Sequence, residues 1–388
     1  MTTKGGASNN RPEKIDRDRR KLLKLAAAGS TGLITSPWTF QSSRAAPKTI
    51  KIGQITPETG PIAAFGEPSK WVAEEVTKFL GGHLEVAGEK HPIQILNRDS
   101  QSNPNRASDV AADLINNDRV DIMIASSTGD TTNPVADQCE LAGVMLTNDP
   151  DGIAASDPVH GLPATIKGHG FDVHYLGLYP PLSDDFTAQI TQLKNMKADI
   201  ACGIFNPPQF AIFWTQCAQQ GFQPKIVTPP KALLFPTAVE ALGNRGAGMS
   251  TEVWWSHHHP FKSGLTGQTA QQFCDAYEKA SGKQWTQPLG FKHANLEVAI
   301  DVLKRAKKLN ADSIREAIAD TDYKSIVGPI TWKAGPGPLN PVPNVCTTPI
   351  VGGQWEKGAK WKYDLNIVFN KSAPEIPLDR PFSAISYS

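Results

Sequence analysis

The chain has 388 residues, 39% of them apolar, and 39 Lys+Arg stand against 38 Asp+Glu. This is enough length for two or three domains and enough apolar matter for buried cores. A near-neutral charge excludes the basic surplus of a nucleic-acid binder, and no apolar run reaches the ~20 residues of a membrane-spanning helix. Five scattered cysteines (Cys139, Cys202, Cys217, Cys274 and Cys346) exclude a dense disulfide framework and a CxxC metal pair.

The first 45 residues read as a targeting segment. Arg19-Arg20 precedes Lys21-Leu22-Leu23, a weakly apolar stretch runs from Leu22 to Ile34, and Ser43-Arg44-Ala45 offers a small-x-small cleavage site. The order resembles a bacterial twin-arginine export signal. Its removal leaves 30 basic against 35 acidic side chains, so the mature chain is mildly acidic.

The mature chain alternates strand and helix signals. Ile50-Lys51-Ile52-Gly53-Gln54-Ile55 reads as a strand by its period of two, and Trp71, Val72, Val76, Phe79 and Leu80 recur at helical spacing up to Gly81-Gly82. Ile93 to Leu96 is a second strand. Val110 to Ile115 marks a helix, Val120 to Ala125 a strand, Val135 to Leu141 a helix and Val144 to Leu146 a strand. Beyond residue 150, Ser183 is placed to cap a helix carrying Asp184 and Asp185 in its first turn. Asp199 to Phe205 and Ile226 to Thr228 read as strands around a helix from Pro208 to Gln220, and a strand holds Val253-Trp254-Trp255. Helices follow at about 267–280, 293–308 and 312–319, then strands that include Leu365 to Phe369. Such alternation predicts an α/β fold with a mostly parallel sheet.

Motifs for catalysis are missing. There is no nucleophile elbow, phosphate loop or dinucleotide fingerprint. His257-His258-His259 has no adjacent carboxylate or cysteine partner and reads as a polar loop before Pro260. Cys202 and Cys217, in apolar surroundings, read as buried fillers. More informative is Ser126-Ser127-Thr128-Gly129-Asp130-Thr131-Thr132, which leaves the strand Val120–Ala125 and enters a helix. At the carboxyl end of a parallel strand such a loop faces the ligand crevice, and its hydroxyls and free N–H groups suit an anion. The alternative is a loop that serves only to cap its own helix.

The stretch Gly53-Gln54-Ile55-Thr56-Pro57-Glu58-Thr59-Gly60-Pro61-Ile62-Ala63-Ala64-Phe65-Gly66 resembles the opening of periplasmic amino-acid/amide-binding proteins of ABC importers, the leucine/isoleucine/valine-binding type. Asp99 to Pro104, Ser126 to Thr128, His259 to Gly267, Gln284-Trp285, Val327 to Ile330 and Val351 to Trp355 match in the same order, so the resemblance covers nearly all of the mature chain. It implies two doubly wound α/β lobes joined by a hinge, closing on a small molecule that is handed to a membrane permease. No reaction, cofactor, metal or nucleic acid is implied, and the receptor is expected to be a periplasmic monomer. Lobe 1 is expected at 48–147 and 257–330, and lobe 2 at 148–256 and 331–380.

Carried over residue by residue, the resemblance assigns the ligand carboxylate to Ser126, Ser127 and Thr128, an aromatic contact to Phe65, and a second-lobe aromatic to Phe205. Where amino-acid binders keep an acid for the ligand ammonium, this chain has Lys231 in Pro229-Pro230-Lys231-Ala232. A lysine there repels an ammonium by about 1–4 kcal/mol at 4 Å, which favours a carboxylate or amide without a free amine. One departure stands out. Leu146-Thr147 runs straight into Asn148-Asp149-Pro150, where the family carries a further loop, a hinge strand and a central lobe-2 strand. The second lobe is therefore expected to be reduced, with unpaired sheet edges and impaired binding. Two other readings are a ligand sensor that presents this fold to a signalling partner, and an enzyme with Asp130 as its base. Asp130 is the sole acid in that loop and reads better as a helix-end charge.

Overall fold

The computed structural model describes residues 47–126, 128–129, 131–132, 146–148, 166–168, 173–174, 176, 179, 183–332 and 345–387. The first sheet has five strands in the order β2-β3-β1-β4-β5. They are β1 (Ile50–Thr56), β2 (His83–Val86), β3 (Glu89–Asp99), β4 (Ile122–Ser126) and β5 (Leu146–Asn148). All pairs are parallel except the β2–β3 hairpin, which turns through Ala87 and Gly88, both at positive φ.

Period-two alternation sorts the side chains of this sheet. Ile50, Ile52, Ile122 and Ile124 join the larger core, together with Val72 and Val76 of helix α1 (Ser69–Phe79). Ile55, Met123 and Ala125 point the other way, onto Ala107, Val110 and Ala111 of α2 (Pro104–Asp113). Asn103 caps α2 by accepting from Arg106 N at 3.0 Å, and Pro104 occupies its first turn.

The remaining helices are α3 (Thr187–Asn195), α4 (Pro207–Gln219), α5 (Pro236–Glu240), α6 (Ala270–Ser281), α7 (Gln287–Arg305) and α8 (Ala311–Ala319). β6 (Ile200–Cys202) and β7 (Ile226–Thr228) form a parallel pair. β8 (Ser250–Val253), β11 (Val351–Lys357) and β12 (Tyr363–Phe369) form an antiparallel sheet in the order β12-β11-β8. β9 (Asp322–Ser325) and β10 (Gly328–Thr331) make a hairpin. Helix α7 returns to the first sheet and packs on α1, β2, β4 and β5, so two stretches of sequence far apart build that half of the molecule.

Several local expectations are corrected. Helix α3 begins at Thr187, so Ser183 and the two aspartates precede it, and Asp185 Oδ1 instead accepts from Thr187 N at 2.9 Å. Strand β6 stops at Cys202, and residues 203–206 carry no regular structure, so Phe205 lies beyond the strand. Trp254 and Trp255 lie just past β8. Cys217 is buried as expected, but Cys202 is exposed on the open face of β6. The expected helix from Val135 to Leu141, and the sequence that follows Asn148 up to Leu182, lie outside the described residues or nearly so.

Candidate ligand-binding site

Parallel pairing brings the carboxyl ends of four strands to one edge. Thr56 is level with Asp99, Ile55 with Ala125, and Ser126 with Asn148. That edge is where open α/β sheets bind ligands.

The loop after β1 is pinned there. Asp99 accepts from Glu58 N at 2.8 Å, Thr59 N at 3.2 Å and Thr59 Oγ1 at 2.6 Å. Burial pushes the Asp99 carboxyl up, but these bonds and one from Gln101 N outweigh it and hold it below its usual range. Ser102 Oγ ties the same loop, donating to Thr59 O and accepting from Ile62 N. Gly66 closes it so tightly that a Cβ would stand 2.2 Å from the Pro57 carbonyl oxygen. Glu58 sits nearby, its carboxyl raised by burial and by Asp99 and lowered by the charges of Lys292 and Lys70.

Phe65 is 1% exposed. Its ring meets Phe235 edge-on at 4.8 Å and Trp254 at 6.3 Å. Ile62 and Leu234 complete this small apolar cluster. The aromatic expected against the ligand thus faces residues that follow β7 and β8, in the other half of the fold.

Ser126 ends β4 and is buried, and Lys292 Nζ donates to its Oγ at 2.6 Å. Lys292 comes from α7 and is 1% exposed. Ser127 lies outside the described residues. Thr128 is fully buried and caps the turn that follows. Its carbonyl accepts from Thr131 N and Thr132 N, and its hydroxyl donates to Thr131 Oγ1 at 3.5 Å.

Phe205 is set apart from this group. Among the described residues its ring contacts are Tyr179, Phe186, Phe210 and Phe213, with Tyr179 stacked at 5.3 Å. Burial in that cluster raises the Tyr179 phenol to about 12. Lys231 adopts a left-handed φ of 69° and donates its backbone N–H to Glu252 Oε1 at 2.8 Å. An acid therefore does stand beside the lysine, supplied by β8, which the spacing around residue 231 could not reveal. Glu252 also lines a shallow groove of about 350 Å³ with Thr228, Pro230, Phe369 and Phe382. Ser126, Lys292 and Phe65 are not among its walls.

The histidine run is divided among separate partners. His257 packs on Trp285 at 5.1 Å, His258 faces Asp379 at 3.2 Å, and His259 Nδ1 accepts from Ser256 N at 3.0 Å. No group of three metal-ligating side chains gathers among the described residues, nor is any helix there long and apolar enough to cross a membrane.

The α/β fold thus brings a hydroxyl and an ammonium to the carboxyl edge of one sheet, and an aromatic contact to the strand-end loops beside it. The sequence matches the periplasmic binding protein family over residues 49–158 and 142–340, and the chain belongs to that family. No curated protein matches it. The fold is similar to a leucine-binding protein from Thermotoga maritima at 18% identity and TM-score 0.65, covering 83% of this chain and 99% of that one. It is also similar to two Rhodopseudomonas palustris ABC-transporter solute-binding proteins. One, solved with 3,4-dihydroxybenzoic acid, is 20% identical with TM-score 0.64 over 84% and 99% of the chains. The other, solved with 4-hydroxybenzoate, is 16% identical with TM-score 0.65 over 84% and 98%.

Proposed function

We propose that this chain is the extracytoplasmic receptor of an ABC importer, capturing a small carboxylate, amide or amino-acid-like solute between its lobes and delivering it to a membrane permease. The contact between Phe65, on the loop after β1, and Phe235, after β7, carries this reading. It joins the two halves at the strand-end loops where a hinged binder closes on its ligand. Export through residues 1–45 and the division into lobes at 48–147 plus 257–330 and 148–256 plus 331–380 belong to the same proposal.

The aromatic acids held by the two R. palustris neighbours support a carboxylate. So does the ammonium of Lys292 at the edge where Ser126 ends. Glu252 beside Lys231 softens the case against an amine, so amino acids stay within the candidate class.

A second reading, a receptor that has lost binding, is favoured by β6. Ile200 is 37% exposed, Cys202 is exposed, and β7 is the strand's one partner among the described residues. The family match also falls in two pieces that share residues 142–158, where the shortened connection is read. A thermal melt with and without benzoates, amides, leucine and valine separates the two. Ligand at ~100 times its Kd adds ~2.7 kcal/mol, so a cooperative melt moved upward by one class establishes the receptor. A broad melt that nothing shifts establishes the decayed copy.

A further inference from the structure

Glu278, near the C-terminal end of α6, is a carboxylate whose side chain is 9% exposed. Its Oε1 accepts from Trp285 N at 3.3 Å and from Trp361 Nε1 at 3.1 Å, and its Oε2 accepts from Lys360 Nζ at 2.5 Å. Lys360 and Trp361 stand on the turn between β11 and β12. Gln284 Nε2 joins the same two regions by donating to Tyr363 O at 3.0 Å, at the start of β12. Each side of this junction leads to one ring of the Phe65–Phe235 pair. On the α6 side, Phe273 and Tyr277 pack on Trp71 of α1 at 5.3 and 5.2 Å, and Lys283 pairs with Glu67, two residues after Phe65. On the β11–β12 side, Trp355 Nε1 donates to Leu233 O at 2.8 Å and Tyr363 Oη to Gly243 O at 2.6 Å, which fixes the segment that carries Phe235. Parting Phe65 from Phe235 with these attachments kept must therefore strip Glu278 of both its side-chain donors.

We infer that Glu278 is a clasp: by holding the β11–β12 turn on α6 it stabilises the arrangement in which Phe65 meets Phe235, and so sets how much of the chain is closed. The effect on solute affinity rests on the receptor reading above, whereas the clasp itself needs no ligand. Bonds to a shielded carboxylate are charge-assisted, and losing the donors leaves that charge poorly paired. Such a contact, made in one arrangement and broken in the other, biases the equilibrium between them. A solute that needs the closed arrangement binds in proportion to its population. A carboxylate that merely secured the end of α6 would alter stability nearby and leave the distant Phe65–Phe235 contact as it is.

The test is amide hydrogen exchange on the full chain without ligand, read by mass spectrometry in wild type, Glu278→Gln and Trp361→Phe. Trp361→Phe keeps a ring and loses only the Nε1 donor, so it carries the test if Glu278→Gln fails to melt cooperatively. Both variants are expected to speed exchange about 10-fold in the segments 60–66 and 233–241, which lie apart from the clasp, and to leave the β1 segment 50–55 as protected as before. Lys360→Met should have a smaller effect, since that ammonium is largely in solvent. Calorimetric titration with 4-hydroxybenzoate and with leucine forms the second arm. Whichever solute the wild type binds should bind Glu278→Gln about 5- to 10-fold more weakly. Exchange that quickens only around 276–286 and 358–363, or nowhere, overturns the clasp and leaves the receptor reading standing. Faster exchange at 60–66 and 233–241 in a chain that binds neither solute upholds the clasp and counts against the receptor reading, and with it the effect on affinity.

Discussion

Phe65 and Phe235 stand edge to face, their centroids 4.8 Å apart and their planes at 81°. They come from the loop after β1 and the residue before α5, so the pair links elements that share no sheet among the described residues. Truncating Phe235 to alanine should remove the edge-on contact and open a void beside Leu234 and Ile62. The expected loss is about 3 kcal/mol of unfolding free energy, read by urea titration. Tryptophan emission should shift to the red as Trp254, which also faces Phe65, gains solvent. An unchanged midpoint and spectrum would show that the two halves do not rest on this contact in solution.

Gly66 and Gly81 should respond differently to alanine. At Gly66 the new Cβ meets the Pro57 carbonyl at 2.2 Å, backbone that cannot swing away. The loop must shift, at about 2–4 kcal/mol. At Gly81 the Cβ points into open space and the cost is that of φ +60 alone, about 1 kcal/mol. Denaturant midpoints of the two variants should rank in that order.

Ser126→Ala should destabilise the chain by about 1–3 kcal/mol, because it removes the hydroxyl that Lys292 reaches inside a buried site. Ser126→Thr, which keeps the oxygen, should recover part of the loss. Both are read from unfolding curves without ligand.

Stability should fall on mild acidification. Burial holds His259 and His293 down to about 3, against an ordinary value of 6.5. His259 also needs an unprotonated Nδ1 to accept from Ser256 N. With both folded values depressed, the unfolded chain takes the proton first. Their stability is complete above pH 6.5 and is lost as pH drops from 6.5 toward 3. At pH 5 the loss is about 2 kcal/mol for each. Glu297, 3.7 Å from His293, is raised by its own burial and works in the opposite sense, so His259 is the cleaner probe. His259→Asn, which keeps an acceptor for Ser256 N, should flatten the melting temperature between pH 7.5 and 5. An equal slope in wild type and variant would remove His259 from the account.

The parts of this fold legible in the sequence are those whose signal is local. Strand β1 and helices α1 and α4 follow directly from apolar period and from Gly81, Gly82 and Gly221 at positive φ. Hairpin β2–β3 escaped because Ala87-Gly88 carries no strong turn signature, although Ala87 adopts φ 51°. The candidate site is half legible. The resemblance points to Ser126, Thr128 and Phe65 as candidates, but in the sequence Lys292 and Glu252 look like ordinary solvent-facing charges. Only tertiary structure places the first under β4 and the second beside Lys231. The resemblance places Phe205 at the exit of a strand. Among the described residues its ring packs with Tyr179, Phe186, Phe210 and Phe213, contacts that no local pattern announces.

Asp99 has a kinetic consequence. Its carboxylate, at the end of β3, holds residues 58 and 59 from within the first sheet. That rim is therefore assembled before any solute arrives, and docking on it demands no ordering of the loop. The rate of capture would be governed by this ready-made edge. The lifetime of the complex would be governed by how long Phe235 and Trp254 stay seated on Phe65. Substitutions at Asp99 should then act on association, and substitutions at Phe235 on escape.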